Sequence, residues 1–203
     1  MRISTTAVMA FVLLTANFAL AADPDSPVFT DSEKAGIDFA LQGEYLGEVE
    51  TKDGKKKIGV QVLALGDGKF RVAGYVGGLP GDGWSRSDEI HTKEGELNGD
   101  SVTFVSDDEA IKSVLTNGRN TVFKEGNELC QLAKITRKSP TLGAKPPENA
   151  IVLFDGQNTD AWENGKIVEG KYLATTDVFT KEKFGDHSFH IEFRTPFMPK
   201  STG

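Results

Sequence analysis

His190, Glu192 and Arg194 stand at alternate positions in the segment Ser188–Thr195. An extended chain turns successive side chains to opposite faces, so these three share one face, about 7 Å apart at a rise of roughly 3.3 Å per residue. An imidazole, a carboxylate and a guanidinium in a row are parts for proton transfer. His190 or Glu192 would move the proton, and Arg194 would stabilise a developing oxyanion. Phe189, Ile191 and Phe193 take the opposite face and are expected to enter a core between sheets. The same alternation also describes a solvated face carrying cross-strand ion pairs, which is common on antiparallel sheets.

Other chemistry-bearing residues are more isolated. Trp162 stands alone among polar residues, either as a stacking platform for a substrate ring or as a plug at a sheet edge. His187 follows Asp186 and reads as an exposed turn histidine rather than a base or ligand. Asp155-Gly156 reads as a turn. The segment Gly77–Trp84 is as glycine-dense as a phosphate loop, but it lacks the G-x-G-x-x-G spacing and the Gly-Lys-Ser/Thr ending. It is expected to be a flexible connection, with Trp84 free for a ligand or domain contact. No Cys/His cluster has zinc spacing, so neither metal nor cofactor is expected. The single cysteine, Cys130, precludes an internal disulfide and should be buried as a small hydrophobe.

The elements that must position these residues are mostly strands. Thr30 to Gly43 can hold one short helix, with Thr30 and Glu33 as a capping box and Ala35, Phe39 and Ala40 facing the core. From Gly43 the pattern alternates. Asp53-Gly54, Gly66-Asp67-Gly68, Asn98-Gly99 and Glu125-Gly126-Asn127 are turn signals between short apolar-alternating runs. Such repetition predicts an antiparallel sheet closed as a small barrel or stacked as a sandwich. The lysine run Lys55–Lys57 fits a solvated edge that resists strand addition. Three prolines and a glycine in residues 139–149 mark a linker. Beyond it, Ala150–Phe154 reads as a buried strand, Val168–Tyr172 as a hairpin around Glu169-Gly170, and Ser188–Thr195 as a strand. The expected organisation is an N-terminal β domain over 23–138, the linker 139–149, and a second domain from 150 to 203.

The N-terminus has the layout of a secretory signal. Arg2 precedes a nearly unbroken apolar run from Ala7 to Ala22, which ends in the small-x-small sequence Ala19-Leu20-Ala21. About 16 apolar residues fall short of the roughly 20 that cross a bilayer. Cleavage near Ala21 or Ala22 is therefore expected, giving a secreted or periplasmic chain with no membrane attachment. The formal charge is −7, and it becomes −8 once Arg2 is lost with the leader. An acidic balance argues against nucleic acid and anionic membrane as partners.

Val152-Leu-Phe-Asp-Gly156, then Trp162, then Phe184-Gly-Asp186 and Phe189-His-Ile-Glu-Phe-Arg-Thr-Pro196 together resemble the 3-keto-disaccharide hydrolase domain family. Exported planctomycete members also carry a β domain in front. The resemblance covers residues 150–203, the first third or less of the family domain. A glycine- and asparagine-rich segment would come next, so the second domain reads as truncated at its C-terminus. The resemblance implies a concanavalin-like jelly roll whose concave sheet faces sugar, so that the whole chain would be all-β. It also implies activity on 3-keto-glycosides, by hydrolysis or by lyase and hydratase steps, with a carbohydrate substrate. On this reading Glu192, His190 and Arg194 are catalytic and Trp162 binds substrate. A lectin-like binding module or a structural spacer is the alternative, since one fold serves all of these uses.

Overall fold

Alternation of apolar and polar residues from Gly43 to Ile135 folds as eight strands: β1 (Gly43–Thr51), β2 (Gly54–Gly66), β3 (Lys69–Val76), β4 (Ile90–Asn98), β5 (Ser101–Val105), β6 (Ile111–Thr116), β7 (Arg119–Lys124) and β8 (Asn127–Ile135). The structure, a computed structural model, describes residues 26–201. The expected leader lies outside the described residues. Each strand pairs antiparallel with the next, and β8 returns to pair with β1, with Glu44 opposite Ile135. The result is a closed up-and-down barrel, which leaves no sheet edge open. Of the two architectures that the turn pattern allowed, the chain adopts the barrel.

The expected turns close the hairpins. Asp67 and Gly68 both have positive φ between β2 and β3, as do Glu125 and Gly126 between β7 and β8. A hairpin that the sequence reading left unpaired, β6–β7, turns at Asn117-Gly118, where Gly118 has φ +81°.

Inward-facing side chains fill the barrel, as a circumference of eight strands permits. Tyr45, Val60, Val62, Phe70, Val72, Val102, Phe104, Leu115, Cys130 and Leu132 form its centre. Cys130 is buried and unpaired with any other cysteine, as expected of a small hydrophobe. One end is covered by a helical turn, Ser32–Lys34, and α1 (Gly36–Leu41). Asp31 caps the first turn by accepting the Glu33 N–H at 3.0 Å, so the cap lies one residue beyond the expected Thr30. Ala35 and Leu41 are buried, whereas Phe39 is more than a third exposed. The buried Tyr45 hydroxyl donates to the Leu41 carbonyl at 2.7 Å, and Lys134 Nζ donates to the Ala40 carbonyl at 2.6 Å, fixing the helix to the wall.

Two compact units are present: residues up to Thr136 together with Thr195 onward, and Arg137–Arg194. In the first, Phe29 and Phe197 exchange backbone hydrogen bonds at 2.9 and 2.8 Å. The tail from Thr195 thus belongs with the barrel. On the outer wall the segment Gly77–Trp84 packs down rather than hanging free. Leu79 is fully buried, and Trp84 meets Tyr75 edge-on at 5.3 Å. Gly59 makes this possible: a Cβ there would sit 2.8 Å from Leu79.

The second unit contains two ribbons, Trp162–Glu163 with Phe179–Thr180 and Ile167–Val168 with Tyr172–Leu173. The second ribbon is the hairpin expected around Glu169-Gly170. Two other expectations are corrected. Ala150–Phe154 forms no strand, and Ile151 and Val152 are exposed. Ser188–Thr195 joins no ladder, and Phe189, Ile191 and Phe193 face solvent instead of a core. Alternation puts apolar side chains on one face, but that face is buried only where a second layer covers it. No jelly roll is formed among the described residues.

Candidate functional site

His190, Glu192, Arg194 and Trp162 all lie in the unit Arg137–Arg194. His190 Nε2 lies 3.3 Å from Glu192 Oε1. They stand two residues apart, and their side chains meet. Glu192 Oε1 also accepts the backbone N–H of Gly143, from the glycine of the Pro-rich linker. These contacts, the Gly143 N–H first and His190 second, hold the Glu192 carboxyl below its ordinary range. A carboxylate stabilised in this way is a weak base. It is better suited to orienting His190 and to countering the charge of an imidazolium. With Nε2–H donating to Glu192, the lone pair of His190 lies on Nδ1.

Arg194 is directed elsewhere. Its Nη2 donates to Glu169 at 2.7 Å, and its guanidinium lies over the Tyr172 ring, 4.3 Å from the centroid. Lys171 approaches the same ring at 5.0 Å. The Glu169 carboxylate pushes the Arg194 pKa further up. The expected trio is therefore a pair, His190 with Glu192, and a separate cluster of Arg194, Glu169 and Tyr172. Glu169 and Tyr172 escaped the sequence reading as site residues. Their signal was the hairpin turn at Glu169-Gly170, which directs residues 169 and 172 toward whatever lies beside it.

The other candidates settle into local roles. Trp162 donates its indole N–H to the Leu153 carbonyl at 2.7 Å, which locks a half-buried ring in one orientation. Asp155 accepts the Gln157 N–H at 2.9 Å, the turn-forming role expected of it. His187 Nδ1 lies 2.7 Å from the Gly185 carbonyl, with its ring edge-on to Phe184 and Phe189. In the barrel unit, a cavity of about 330 Å³ opens between Phe29, Phe197, Asp38 and Asp67, where Lys200 pairs with Asp67 at 2.9 Å. It has carboxylates and a cation, but its lining includes no hydroxyl, thiol or imidazole side chain.

Comparison with protein-family models, curated proteins and solved structures finds no match for this chain.

Proposed function

We propose that this is an exported carbohydrate-active protein, a hydrolase or lyase of 3-keto-glycosides. On this reading, residues 150–203 supply the opening strands of a concanavalin-like jelly roll. The observation that supports it best is the His190–Glu192 pair, an imidazole oriented by a carboxylate and open to solvent. A ketone at C3 of a sugar acidifies the proton on C2. His190 Nδ1 takes that proton, and Glu192 steadies the imidazolium that forms. The C2 electron pair becomes an enolate, which expels the C1 substituent by elimination. His190 returns the proton to the departing oxygen, and water then adds across the double bond. Arg194, held in the separate cluster with Glu169 and Tyr172, takes no part in this step.

Proton abstraction is the step to test. The protein is incubated with a 3-keto-disaccharide in heavy water, and deuterium entry at C2 is followed by mass spectrometry against buffer alone. Exchange above the buffer rate is expected, falling at least about 100-fold in His190→Ala. Exchange at the buffer rate would sink the catalytic reading. The fixed, half-buried Trp162 ring supports a second, non-catalytic reading as a lectin-like binding module, because a preordered aromatic face stacks on a sugar at low entropic cost. Sugar binding that Trp162→Ala abolishes, with no exchange at C2, would favour it.

A further inference from the structure

Asn-Gly occurs three times, at 98–99, 117–118 and 164–165. The pair is reactive because glycine, having no Cβ, lets its backbone nitrogen approach the side chain of the asparagine before it. The fold treats the three pairs differently. Asn98-Gly99 enters the turn between β4 and β5, whose closing pair is Asn98 with Ser101. Asn117-Gly118 is the turn between β6 and β7, closed by Thr116 and Arg119. All four residues are exposed, and the N–H groups of Gly99 and Gly118 make no backbone hydrogen bond. A Cβ added at either glycine would meet nothing within 4 Å. Among the described residues, neither asparagine side chain has a hydrogen-bond partner. Asn164-Gly165 is held on every side. Asn164 Nδ2 donates to the Asp177 carbonyl at 3.1 Å, and the Gly165 carbonyl accepts the Thr159 hydroxyl at 3.3 Å. A Cβ at Gly165 would lie 2.7 Å from that of Thr159 and 2.9 Å from that of Trp162.

We propose that Asn98 and Asn117 are modification sites, converting spontaneously to aspartate and isoaspartate, and that the fold protects Asn164. At each open turn the glycine nitrogen gives its proton to solvent base and attacks Cγ of the asparagine. The N–Cγ bond forms, the Cγ–Nδ2 bond breaks, and the amide leaves as ammonia after taking a proton from water. Water then opens the five-membered imide. Opening at Cγ leaves aspartate. Opening at the main-chain carbonyl leaves isoaspartate, whose main chain runs through Cβ and Cγ. One water is consumed and one ammonia released, with no change of oxidation state. At Asn164 the amide must first leave the Asp177 carbonyl and then swing into crowded space, so the same attack is opposed. Each conversion adds one negative charge. Isoaspartate also adds a main-chain carbon to a hairpin whose register is set by its loop length. The pairs Asn98 with Ser101 and Thr116 with Arg119 are the first to suffer. Both turns lie at the end of the barrel where β1 begins, because a meander sets alternate turns at one end. None of this depends on what the protein does to sugars.

The three pairs fall in separate tryptic peptides, 94–112, 113–119 and 139–166, so each can be followed by itself. The protein is kept warm at mildly alkaline pH, either folded or in urea, and sampled over days. Mass spectrometry scores the change of amide to acid, and chromatography separates aspartate from isoaspartate. In the folded protein Asn98 and Asn117 should convert, with Asn164 at least about tenfold slower. In urea the lag of Asn164 should vanish, because its bond to the Asp177 carbonyl goes with the fold. Conversion should quicken as pH rises, since the nucleophile is the deprotonated amide nitrogen. Isoelectric focusing should show the folded chain spreading into more acidic forms, whereas the double variant Asn98→Gln, Asn117→Gln stays a single form. Equal conversion at all three sites of the folded protein, or intact Asn98 and Asn117 after the incubation, would overturn the proposal. A lag at Asn164 that persists in urea would overturn the protection by the fold.

Discussion

The barrel and the unit Arg137–Arg194 are built from similar short alternating runs, yet only one of them has a core. All but a few of the barrel's strands contribute side chains to a buried cluster, and every strand has a neighbour on both sides. In the second unit each ribbon pairs only two residues per strand, and no hydrophobic side chain is buried among the described residues. The difference shows what alternation alone does. It prepares one face for burial, and stability follows only when another layer removes that face from water. Hydrogen bonds and ion pairs at exposed positions, such as those of Glu192 and Arg194, order local geometry but add little to global stability.

The largest consequence is in hydrogen exchange. Amides of β1, β2 and β8 should exchange only through global opening, and those of residues 137–194 through local opening of small free energy. Peptide-level exchange should differ at least about a thousandfold between the two. Equally slow exchange in residues 137–194 would break the comparison.

Large-to-small substitution sharpens it. Phe70 is fully buried between β2 and β4, and Phe193 is 77% exposed. Phe70→Ala should destabilise by about 3–5 kcal/mol, whereas Phe193→Ala should stay within about 0.5 kcal/mol. Urea titration of both variants measures the gap.

Titration separates the units in opposite senses. Burial pushes the Tyr45 hydroxyl up to about 12. Its neutral form is kept in the folded barrel while the unfolded chain ionises near 10. Stability is therefore fully present below about pH 10 and falls as pH rises from there toward about 12. At about 1.4 kcal/mol per unit, the loss amounts to about 2–3 kcal/mol. Tyr45→Phe should flatten that alkaline limb and cost about 1 kcal/mol at neutral pH, through the bond to the Leu41 carbonyl. Glu192 runs the other way. Its carboxyl is held low by the Gly143 N–H and His190, so the ordering it gives is present above the usual carboxylate range and is lost as pH falls through the lowered value. A carboxyl resonance of Glu192 that titrates at or above the ordinary range would contradict the contact with Gly143.

How much of this was legible follows the same division. Turns announce themselves locally, because Asp67-Gly68 and Glu125-Gly126 need positive φ, which few residue pairs adopt cheaply. The meander could therefore be read hairpin by hairpin. Its closure could not, since the pairing of Glu44 with Ile135 depends on the summed twist of all eight strands. At the candidate site, the spacing of His190 and Glu192 foretold their meeting. Arg194 obeyed the same spacing but turned to Glu169 and Tyr172, because a long side chain goes to the nearest carboxylate and ring, and those come from a hairpin distant in sequence. Trp162 was legible as an isolated aromatic, but its anchor, the Leu153 carbonyl, is a backbone group that no residue type reveals.

The smallest expected effect comes from the two tryptophans, one in each unit. Trp84 is packed against Tyr75, and its indole N–H is buried with no partner, whereas that of Trp162 is bonded at 2.7 Å. Trp84→Phe removes an unsatisfied donor along with some apolar area. These two changes oppose each other, so the barrel's unfolding free energy should change by no more than about 0.5 kcal/mol. Trp162→Phe discards a made bond and should loosen its own unit while leaving the barrel transition in place. Each single-tryptophan protein then reports on one unit by fluorescence. Trp162 emission should shift at low urea, and Trp84 emission should hold until the barrel unfolds. Coincident transitions in the two proteins would mean that the unit lacking a core nevertheless unfolds with the barrel, and the contrast between them would be one of packing alone rather than of stability.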